Sequence, residues 1–382
     1  MIEIETMSIL IVDDMKSMRL TIRKMLQNLK IGKKLRFAKN GKEGLEILNN
    51  VKCDIAIIDW NMPIMNGVQM LDQIRSDKSH RDMPVIMVTA ESQRDIVSEV
   101  AETEVNAYLL KPLTLAALDE KIRAVVEKAN EPVPATVHRL RAREFAEKKD
   151  FNAAIDEIKM ALTYNSSASR LLRELGLLHF KIKKPGVAVK CLLKAASVNK
   201  QDVISRVHIA DYYIKKNQLE KAGPFFLEIL SLSTKYNDQA LDFAEKLLIR
   251  GSRTLALNVF SKIMMRSKKQ YIVREKIIDI CLDKNELEYP LSLLEQSIKE
   301  NPSNFDIIYK TGVVYIEIDD IEKALNNFIE VDRHVRGHIN AKLQIARIYL
   351  DDGKVLQADD YINQILRIDP NNSAALDLRR QT

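Results

Sequence analysis

The sequence has few of the residues that make turns, cross-links and aromatic cores. Among its 382 residues are only 11 Gly, 10 Pro and 3 Cys, and 6% are aromatic. Such limited turn chemistry disfavours a many-stranded all-β fold and predicts a mainly helical chain. Cys53, Cys191 and Cys281 lie far apart, which excludes a disulfide framework and a cysteine-rich zinc site. A reducing compartment is therefore expected.

Targeting and membrane segments are also missing from the sequence pattern. Residues 1–6 carry Glu3 and Glu5 and lack the basic and apolar regions of a signal peptide. No stretch approaches the roughly 18 consecutive apolar residues that a membrane helix needs. We therefore expect a cytoplasmic protein with no membrane partner.

The excess of positive charge is small and diffuse. The formal net charge is +6, but residues 1–130 hold 19 basic and 19 acidic residues, so the whole excess follows them. Nucleic-acid binding needs clustered basic residues. An ordinary solvated surface is the favoured interpretation, and no nucleic-acid partner is expected.

Residues 1–130 alternate short apolar runs with segments of helical periodicity. Five runs rich in β-branched residues are the candidate strands: Ile9–Val12, Leu35–Ala38, Ile55–Asp59, Pro84–Val88 and Ala107–Leu110. Strands that alternate with helices of 10–15 residues predict an α/β fold, a doubly wound five-stranded parallel sheet covered on both faces.

Polar side chains cluster where these strands end, which is where a doubly wound sheet binds its ligand. They are Asp13 and Asp14, Asp59, Thr89, and Lys111, after strands one, three, four and five. Converging carboxylates repel each other unless a hard divalent cation lies among them, and Mg²⁺ is the natural occupant. A carboxylate beside that ion can be phosphorylated, with the metal and a lysine neutralising the transferred group.

A wider set of motifs accompanies this cluster. In order along the chain they are Asp13-Asp14, the run Asp59 to Pro63 with Gly67, the run Met87 to Glu91, and Tyr108 with Lys111-Pro112. Together they resemble the receiver domain of bacterial response regulators, in particular the single-domain chemotaxis regulator, over about residues 7–128. The resemblance implies a flavodoxin-like fold.

The resemblance also implies a role for each residue at the sheet edge. Asp59 would be the phosphoacceptor, and Asp13, Asp14 and Asp59 would hold Mg²⁺ together with the backbone carbonyl of Asn61. Lys111 would contact the phosphoryl group. The implied partner is a sensor histidine kinase or a phosphotransfer protein.

Further positions of the family pattern concern switching and phosphoryl lifetime. Thr89 would contact the phosphoryl group and form the switch pair with Tyr108, while Asn61 and Glu91 stand where the family tunes hydrolysis. One departure precedes the fifth strand, where Glu104 to Asn106 replaces the usual glycine-containing turn. Receivers often dimerise through the face of their fourth helix, fifth strand and fifth helix, so a homodimer through that face is a further expectation.

From residue 135 the sequence repeats every 34 residues. Seven units fit without insertion, starting at residues 135, 169, 203, 237, 271, 305 and 339. Small residues recur in two series: Ala142, Gly176, Ala210, Ala244, Gly312 and Ala346, then Ala154, Ala188, Ala222, Ala256, Ala324 and Ala358. A bulky series accompanies them: Ile158, Leu192, Phe226, Phe260, Leu294, Phe328 and Ile362. Antiparallel helices approach closely where small residues meet, and each pair leaves an apolar face for its neighbour.

This pattern resembles the tetratricopeptide repeat and implies an all-α superhelix that binds proteins. Pro302 and Pro370 end units five and seven where that family places proline. In unit five, Pro290 takes the position of the second small series. In unit three, Pro224 lies two residues after Ala222 of that series. The second helices of both units are therefore predicted to start late.

The predicted organisation has four parts. Residues 1–128 form the receiver, 129–134 a linker with two prolines, 135–372 the seven repeats, and 373–382 a capping helix. Two prolines in six residues make the linker semi-rigid.

The first helix of each repeat would line a concave binding groove. Its charged positions are basic at Arg139, Arg143, Arg170 and Arg173, then acidic at Asp238, Glu245, Glu275 and Asp279; apolar Tyr309, Val313 and Ile316 follow. We hypothesise that the groove selects an extended or helical peptide of complementary order. The alternative is that these are ordinary solvated helix faces.

Two classes of function remain open. In the first, the chain is a response regulator whose phosphorylation at Asp59 gates protein binding by the repeats. In the second, it is a phosphate sink or decoy that competes for a sensor kinase or sequesters another regulator. An enzymatic output is not expected, because no nucleophile–base pair, phosphate loop or metal-ligand spacing follows residue 130.

Overall fold

The computed structural model describes residues 1–90, 105–267 and 270–381. The chain begins with strands and helices in alternation. In chain order these are β1 (Ser8–Val12), α1 (Lys16–Asn28), β2 (Lys34–Ala38), α2 (Gly41–Asn50), β3 (Ile55–Asp59), α3 (Gly67–Ser76), β4 (Val85–Thr89), β5 (Ala107–Leu110) and α4 (Leu115–Asn130). All five predicted strands are present, within one residue of their expected bounds.

The five strands form one parallel sheet in the order β2-β1-β3-β4-β5. Every residue of β1, β3 and β4 is buried. Alternate residues of β1 enter different cores: Ile9 and Ile11 pack in the core that holds Ile22 of α1, and Leu10 in the core that holds Met70 of α3. The doubly wound α/β prediction is therefore confirmed, and the strand order is the flavodoxin-like one.

The rest of the described chain is helical. The helices are α5 (Pro134–Glu147), α6 (Phe151–Tyr164), α7 (Ser169–Lys181), α8 (Pro185–Val198), α9 (Val203–Lys215), α10 (Leu219–Leu232), α11 (Asn237–Ile249), α12 (Arg253–Arg266), α13 (Gln270–Asp283), α14 (Glu288–Glu300), α15 (Phe305–Glu317), α16 (Ile321–His334), α17 (Ile339–Asp351), α18 (Val355–Ile368) and α19 (Ser373–Arg379). Two helices per 34 residues, with α19 at the predicted capping helix, confirm the helical repeat array.

The repeated residues are the ones that the helix pairs bury. Every member of the two small series and of the bulky series is buried. Gly312 shows why the small positions are small, because a Cβ there would lie 2.7 Å from the Phe328 ring. The periodicity therefore marks the contact line between the two helices of each unit.

A further 34-residue series appears only in the structure. The first helix of each unit is followed by a residue with a left-handed backbone, namely Lys149, Lys183, Asn217, Gly251, Asn285, Asp319 and Gly353. Such residues end a helix by turning its last backbone groups toward the preceding carbonyls. In the first unit, Lys149 donates its N–H to the carbonyl of Ala146, and Asp150 donates to that of Phe145.

The proline effects differ between the two units in which they were predicted. The second helix of unit five, α14, begins at Glu288, one residue later than the 34-residue spacing would place it. The late start predicted for unit three is wrong, since α10 begins at the regular position, Leu219, and contains Pro224. Pro224 is the sixth residue of α10, and its carbonyl partner would be Glu220 in the first turn, so only one hydrogen bond is lost.

The chain divides into two compact regions, Met1–Ser233 and Thr234–Thr382. The first contains the parallel sheet with repeats one to three, and the second contains repeats four to seven with α19. Between α4 and α5 only residues 131–133 are outside a helix. No helix of the described residues combines the length and the apolarity required to cross a bilayer.

Candidate functional site

Three of the predicted residues meet at the carboxyl edge of the sheet. The Nζ atom of Lys111 lies 2.7 Å from Oδ1 of Asp59 and 3.2 Å from Oδ2 of Asp13. Both aspartates are buried, and Lys111 is only 18% exposed. The other carboxylate oxygen of Asp13 accepts a hydrogen bond of 2.8 Å from the backbone N–H of Met15. Asp14 is exposed at the same edge.

The electrostatics of this cluster favour uptake of positive charge. Burial raises the pKa of Asp59 above its ordinary value, and the negative charges of Asp13 and Asp14 add to this, while Lys111 opposes it. Burial alone would lower the pKa of Lys111, but its hydrogen bond to Asp59 and the two carboxylates outweigh that effect and the pKa is raised. Asp59 is thus a carboxylate whose charge is incompletely compensated.

The backbone around Asp59 is closely packed. Trp60 donates its N–H to the Val88 carbonyl at 2.8 Å, and Gly67 donates to the Trp60 carbonyl at 3.0 Å. A Cβ at Gly67 would lie 2.2 Å from the carbonyl oxygen of Asp59, so only glycine fits at the start of α3. Asn66 then caps α3 by accepting a hydrogen bond from the N–H of Gln69. These contacts fix the end of β3 and with it the Asp59 side chain.

The predicted switch pair lies on one side of the sheet. Thr89 is buried at the end of β4, and Tyr108 is half-buried on β5. Tyr108 pairs in register with Met87, which faces the same side as Thr89 because the two are separated by two residues. Met87 and Tyr108 belong to the same apolar core as Trp60. Thr89 and Tyr108 therefore lie on the same side of the sheet, and Tyr108 packs against the core that contains Met87 and Trp60.

Other predicted site residues are less informative. Asn61 is exposed in the turn after β3. Glu91 and Glu104 lie outside the described residues, as does the segment that would carry the fourth helix of the expected dimer face.

The donor set at the sheet edge fits a hard cation. Within the described part of the chain, no three His, Cys, Asp or Glu side chains are grouped closely enough to hold a metal ion, so the predicted set of three carboxylates, Asp13, Asp14 and Asp59, is not assembled. Asp13 and Asp59, however, both point at Lys111, and Mg²⁺ typically takes only one or two carboxylates and keeps several waters. These two carboxylates with the Asn61 carbonyl are the groups that would hold it.

The basic positions predicted for the groove are engaged in ion pairs. Arg139 and Arg170 both donate to Oε1 of Glu174, at 2.7 and 3.3 Å. Arg173 lies 2.8 Å from the buried carboxylate of Asp202. The Arg139–Glu174 pair joins α5 to α7, and the Arg173–Asp202 pair joins α7 to the residue before α9, whereas Arg170 and Glu174 both lie on α7.

Arg143 instead contacts the receiver region. Its guanidinium lies 2.6 Å from Asp82, in the turn that leads into β4. One helical turn later, Glu147 accepts a hydrogen bond from Arg81 and lies 3.9 Å from Lys78. We call these ion pairs the receiver–repeat seam; it consists of Lys78, Arg81 and Asp82 on the receiver side and Arg143 and Glu147 on α5. Sequence reasoning missed it, because no residue type or spacing links positions 61 to 69 residues apart.

A half-buried arginine supports the receiver side of this seam. Arg75 of α3 donates to the carbonyls of Arg81 and Met83 at 2.9 and 2.8 Å, and to Oδ1 of Asn106 at 2.9 Å. Burial lowers the pKa of Arg75 to about 10, and the positive charge of Arg170 contributes. Asn106, at the position where the family pattern was broken, therefore links the start of β5 to the segment that forms the seam.

The acidic groove positions are also mostly compensated. Lysines of the following repeat pair with them: Lys276 with Asp238 at 3.1 Å, Lys284 with Glu245 at 2.8 Å, and Lys310 with Asp279. Among the described residues, the exposed Glu275 makes no hydrogen bond or ion pair.

Two of the three predicted apolar groove positions, Tyr309 and Val313, line a cavity in the region Thr234–Thr382, and Ile316 does not border it. Tyr309 and Val313 of α15 border a space of about 570 Å³, together with Leu282 at the end of α13 and Leu287 just before α14. The ring of Tyr309 is held from behind by Phe328 and His338, with centroids 5.5 and 4.9 Å away. Here the predicted apolar end of the groove has a concave surface.

Known protein families match both parts of the chain. The family model of the response regulator receiver domain matches residues 9–123, and a tetratricopeptide repeat model matches residues 339–372, the seventh predicted unit. The chemotaxis protein CheY of Pseudomonas aeruginosa is 40% identical over 124 residues, which are 32% of this chain and 99% of that protein. CheY-3 of Vibrio cholerae is 38% identical over 124 residues and 95% of its length.

Solved structures of similar proteins cover the same region. CheY4 of Vibrio cholerae is 27% identical, with 31% of this chain and 98% of that chain covered and a TM-score of 0.30. A CheY-like receiver domain protein from Methanospirillum hungatei is 26% identical, with 33% and 97% covered and a TM-score of 0.30.

Proposed function

The chain belongs to the response regulator receiver family, and from that premise we propose that phosphorylation of Asp59 by a histidine kinase gates protein binding by its repeats. A receiver implies a kinase or phosphotransfer protein as donor, and tetratricopeptide repeats imply protein interaction. The repeats act in this proposal by binding rather than by catalysis. The cluster of Asp13, Asp59 and Lys111 is the observation that carries it.

The proposed chemistry uses the incompletely compensated carboxylate. An Asp59 oxygen attacks the phosphorus of a donor phosphohistidine, and the bond from phosphorus to the histidine nitrogen breaks as the new bond forms. Lys111, which is already 2.7 Å from Asp59, follows the added negative charge. Bound Mg²⁺ would supply further charge neutralisation. Asp13 and the Asn61 carbonyl would hold the ion beside the acceptor.

Gating requires a contact that differs between the two receiver states. The receiver–repeat seam is a suitable contact, because it joins the turn before β4 to α5, the first helix of the repeats. Arg75 connects that turn to Asn106, two residues before Tyr108 on β5. A Tyr108 movement that shifts the start of β5 would therefore displace the groups that hold Arg81 and Asp82.

The proposal predicts a change in hydrogen exchange along α5. Full-length protein with Mg²⁺ is measured with and without beryllofluoride, a phosphoryl analogue, and Trp60, the single tryptophan, reports analogue binding through its fluorescence. We expect altered exchange in residues 134–147 on binding, and neither the exchange change nor the fluorescence change in Asp59→Asn.

A charge swap separates the seam from the acceptor chemistry. Glu147→Arg alone should abolish the exchange difference in α5 while Trp60 still responds, and the double variant Arg81→Glu with Glu147→Arg should restore it. A wild-type protein whose Trp60 responds but whose α5 exchange does not change would contradict gating through the seam. Rapid loss of the phosphoryl group together with that result would favour the sink function.

A further inference from the structure

The cavity in the sixth repeat differs from the rest of the groove in its charge balance. Asp306 and Glu317, at opposite ends of α15, both border it and are exposed. In the described part of the chain neither carboxylate has a hydrogen bond or an ion pair. Lys310, which also borders the cavity, is compensated by Asp279 of α13. Two uncompensated negative charges therefore flank an apolar surface.

The spacing along α15 puts these groups on one line. Asp306, Tyr309, Val313 and Glu317 are separated by three, four and four residues, which keeps them on one face of a helix. The stripe thus runs acidic, aromatic, aliphatic, acidic. Its two acidic ends are 11 residues apart, or about 16 Å at 1.5 Å per residue.

We infer that this cavity is a recognition site for an extended peptide segment that carries one bulky apolar side chain between two basic residues. An extended chain advances about 3.3 Å per residue and turns alternate side chains to opposite faces, so basic residues four positions apart point the same way at a distance of about 13 Å. Their long side chains span the remaining distance to the two carboxylates. The apolar side chain enters between Tyr309, Val313 and Leu282, and the basic ones reach Asp306 and Glu317. The inference rests on the proposed function only in that the repeats bind a protein segment.

Charge complementarity selects this occupant over other segments. An acidic segment would meet two carboxylates without a compensating cation, and a purely apolar segment would leave both ends unused. Apart from Glu275, the remaining groove charges are already paired, so a partner would have to break those pairs before it could use them.

The test is a binding titration of full-length protein with a labelled synthetic peptide. The probe is Ser-Lys-Ser-Leu-Ser-Lys-Ser, in which both Lys and the Leu share one face of the extended chain, and matched peptides replace Leu by Ser, both Lys by Glu, or move the two Lys together. Fluorescence anisotropy gives the affinity. Loss of the Leu side chain should weaken binding about tenfold or more. Both charge-altered peptides should bind more weakly, and added salt should reduce binding of the probe.

Protein variants locate the site. Asp306→Asn and Glu317→Gln should each weaken binding about twofold to fivefold, as expected for exposed ion pairs. Val313→Thr, which keeps the side-chain shape, should weaken it by reducing the apolar contact. Glu322→Gln is the matched control, since this exposed acid is on α16, makes no hydrogen bond or ion pair among the described residues and does not border the cavity, and it should leave the affinity unchanged. Circular dichroism checks that each variant keeps its helices.

The outcomes distinguish this inference from the gate. No binding of the probe, or equal effects of Glu322→Gln and Glu317→Gln, would overturn the site. Probe binding that depends on Asp306 and Glu317 but is the same with and without beryllofluoride would support the site and contradict gating of it by Asp59. The exchange experiment on α5 tests the gate without the peptide.

Discussion

The receiver and the repeats both bury charged side chains, but they compensate them differently. In the receiver, Asp13 and Asp59 share one cation, Lys111, at the edge of the sheet. In the repeats, the buried Asp202 has its own cation, Arg173, and also accepts hydrogen bonds from Ser169 and Ser205. The receiver cluster is under-compensated, which suits a site that takes up a cation or exchanges charge. The repeat clusters are compensated, which suits a scaffold.

Removal of one ion-paired lysine from each region should sharpen this contrast most strongly. Lys111→Met leaves two buried carboxylates without their cation and should lower the free energy of unfolding by about 3 to 4 kcal/mol. In the repeats, Lys342→Met leaves Asp332, which lies 2.5 Å from the lysine, without its cation. Because Asp332 is more exposed than Asp13 and Asp59, this variant should lower the free energy of unfolding by only about 1 to 2 kcal/mol. Urea unfolding followed by Trp60 fluorescence reports the receiver, and far-ultraviolet circular dichroism reports the helices.

Mg²⁺ provides the control for the lysine variants. Because a cation can replace Lys111 between Asp13 and Asp59, Mg²⁺ should restore much of the stability lost in Lys111→Met and none of that lost in Lys342→Met. Equal losses in the two variants, or equal responses to Mg²⁺, would remove the distinction between the two regions.

Glycine replacements compare the two kinds of packing. In Gly67→Ala the new Cβ would lie 2.2 Å from the backbone oxygen of Asp59, which cannot move away, so we expect a loss of about 3 kcal/mol. In Gly312→Ala it would meet the Phe328 ring at 2.7 Å, which can shift, so we expect about 1 kcal/mol. In Gly186→Ala, within α8, the new Cβ would have no atom within 4 Å, so this variant should stabilise the repeats by about 0.5 kcal/mol.

The same unfolding measurements check the glycine series. Gly67→Ala should also reduce the response of Trp60 to beryllofluoride, because it displaces the end of β3. A Gly67→Ala protein as stable as Gly312→Ala would show that the turn after Asp59 is softer than its contacts indicate.

Sequence periodicity was sufficient to predict the strands of the receiver and the helix pairs of the repeats. The strands follow from apolar runs such as Ile55–Asp59, and the repeats from buried small residues such as Ala154, because burial imposes a residue type at each such position. The receiver cluster was also predictable, since parallel strands bring their carboxyl ends to one edge. Its members Asp13, Asp59 and Lys111 do meet there.

The pairing of surface charges was not predictable in the same way. Arg139 and Glu174 are ordinary surface residues in the sequence, and only the packing of successive helices makes them partners. The left-handed residues that end each first helix were only partly hidden, because five of the seven are Gly, Asn or Asp, the types that favour this conformation, and only Lys149 and Lys183 are not. Burial restricts which residue types can occupy a position and is therefore visible in the sequence, whereas ion pairing at the surface imposes little such restriction.

The two buried aspartates should respond to neutralisation with opposite signs. The pKa of Asp202 is lowered: burial alone would raise it, but Arg173 and the hydrogen bonds from Ser205 outweigh that effect. Its ionised form therefore stabilises the fold, and Asp202→Asn should cost about 2 kcal/mol at neutral pH. The pKa of Asp59 is raised, chiefly by burial, so its ionised form opposes folding, and Asp59→Asn should stabilise the receiver by about 1 kcal/mol without Mg²⁺.

The pH dependence gives the sign of each effect independently. The contribution of Asp202 is present above the unfolded value near 4 and is lost as the pH falls through its lower folded pKa. The penalty from Asp59 is present above its raised folded pKa and is relieved as the pH falls from there toward about 4. The stability difference between wild type and each Asn variant should therefore change in opposite directions on acidification. Parallel changes would mean that Lys111 compensates Asp59 as fully as Arg173 compensates Asp202.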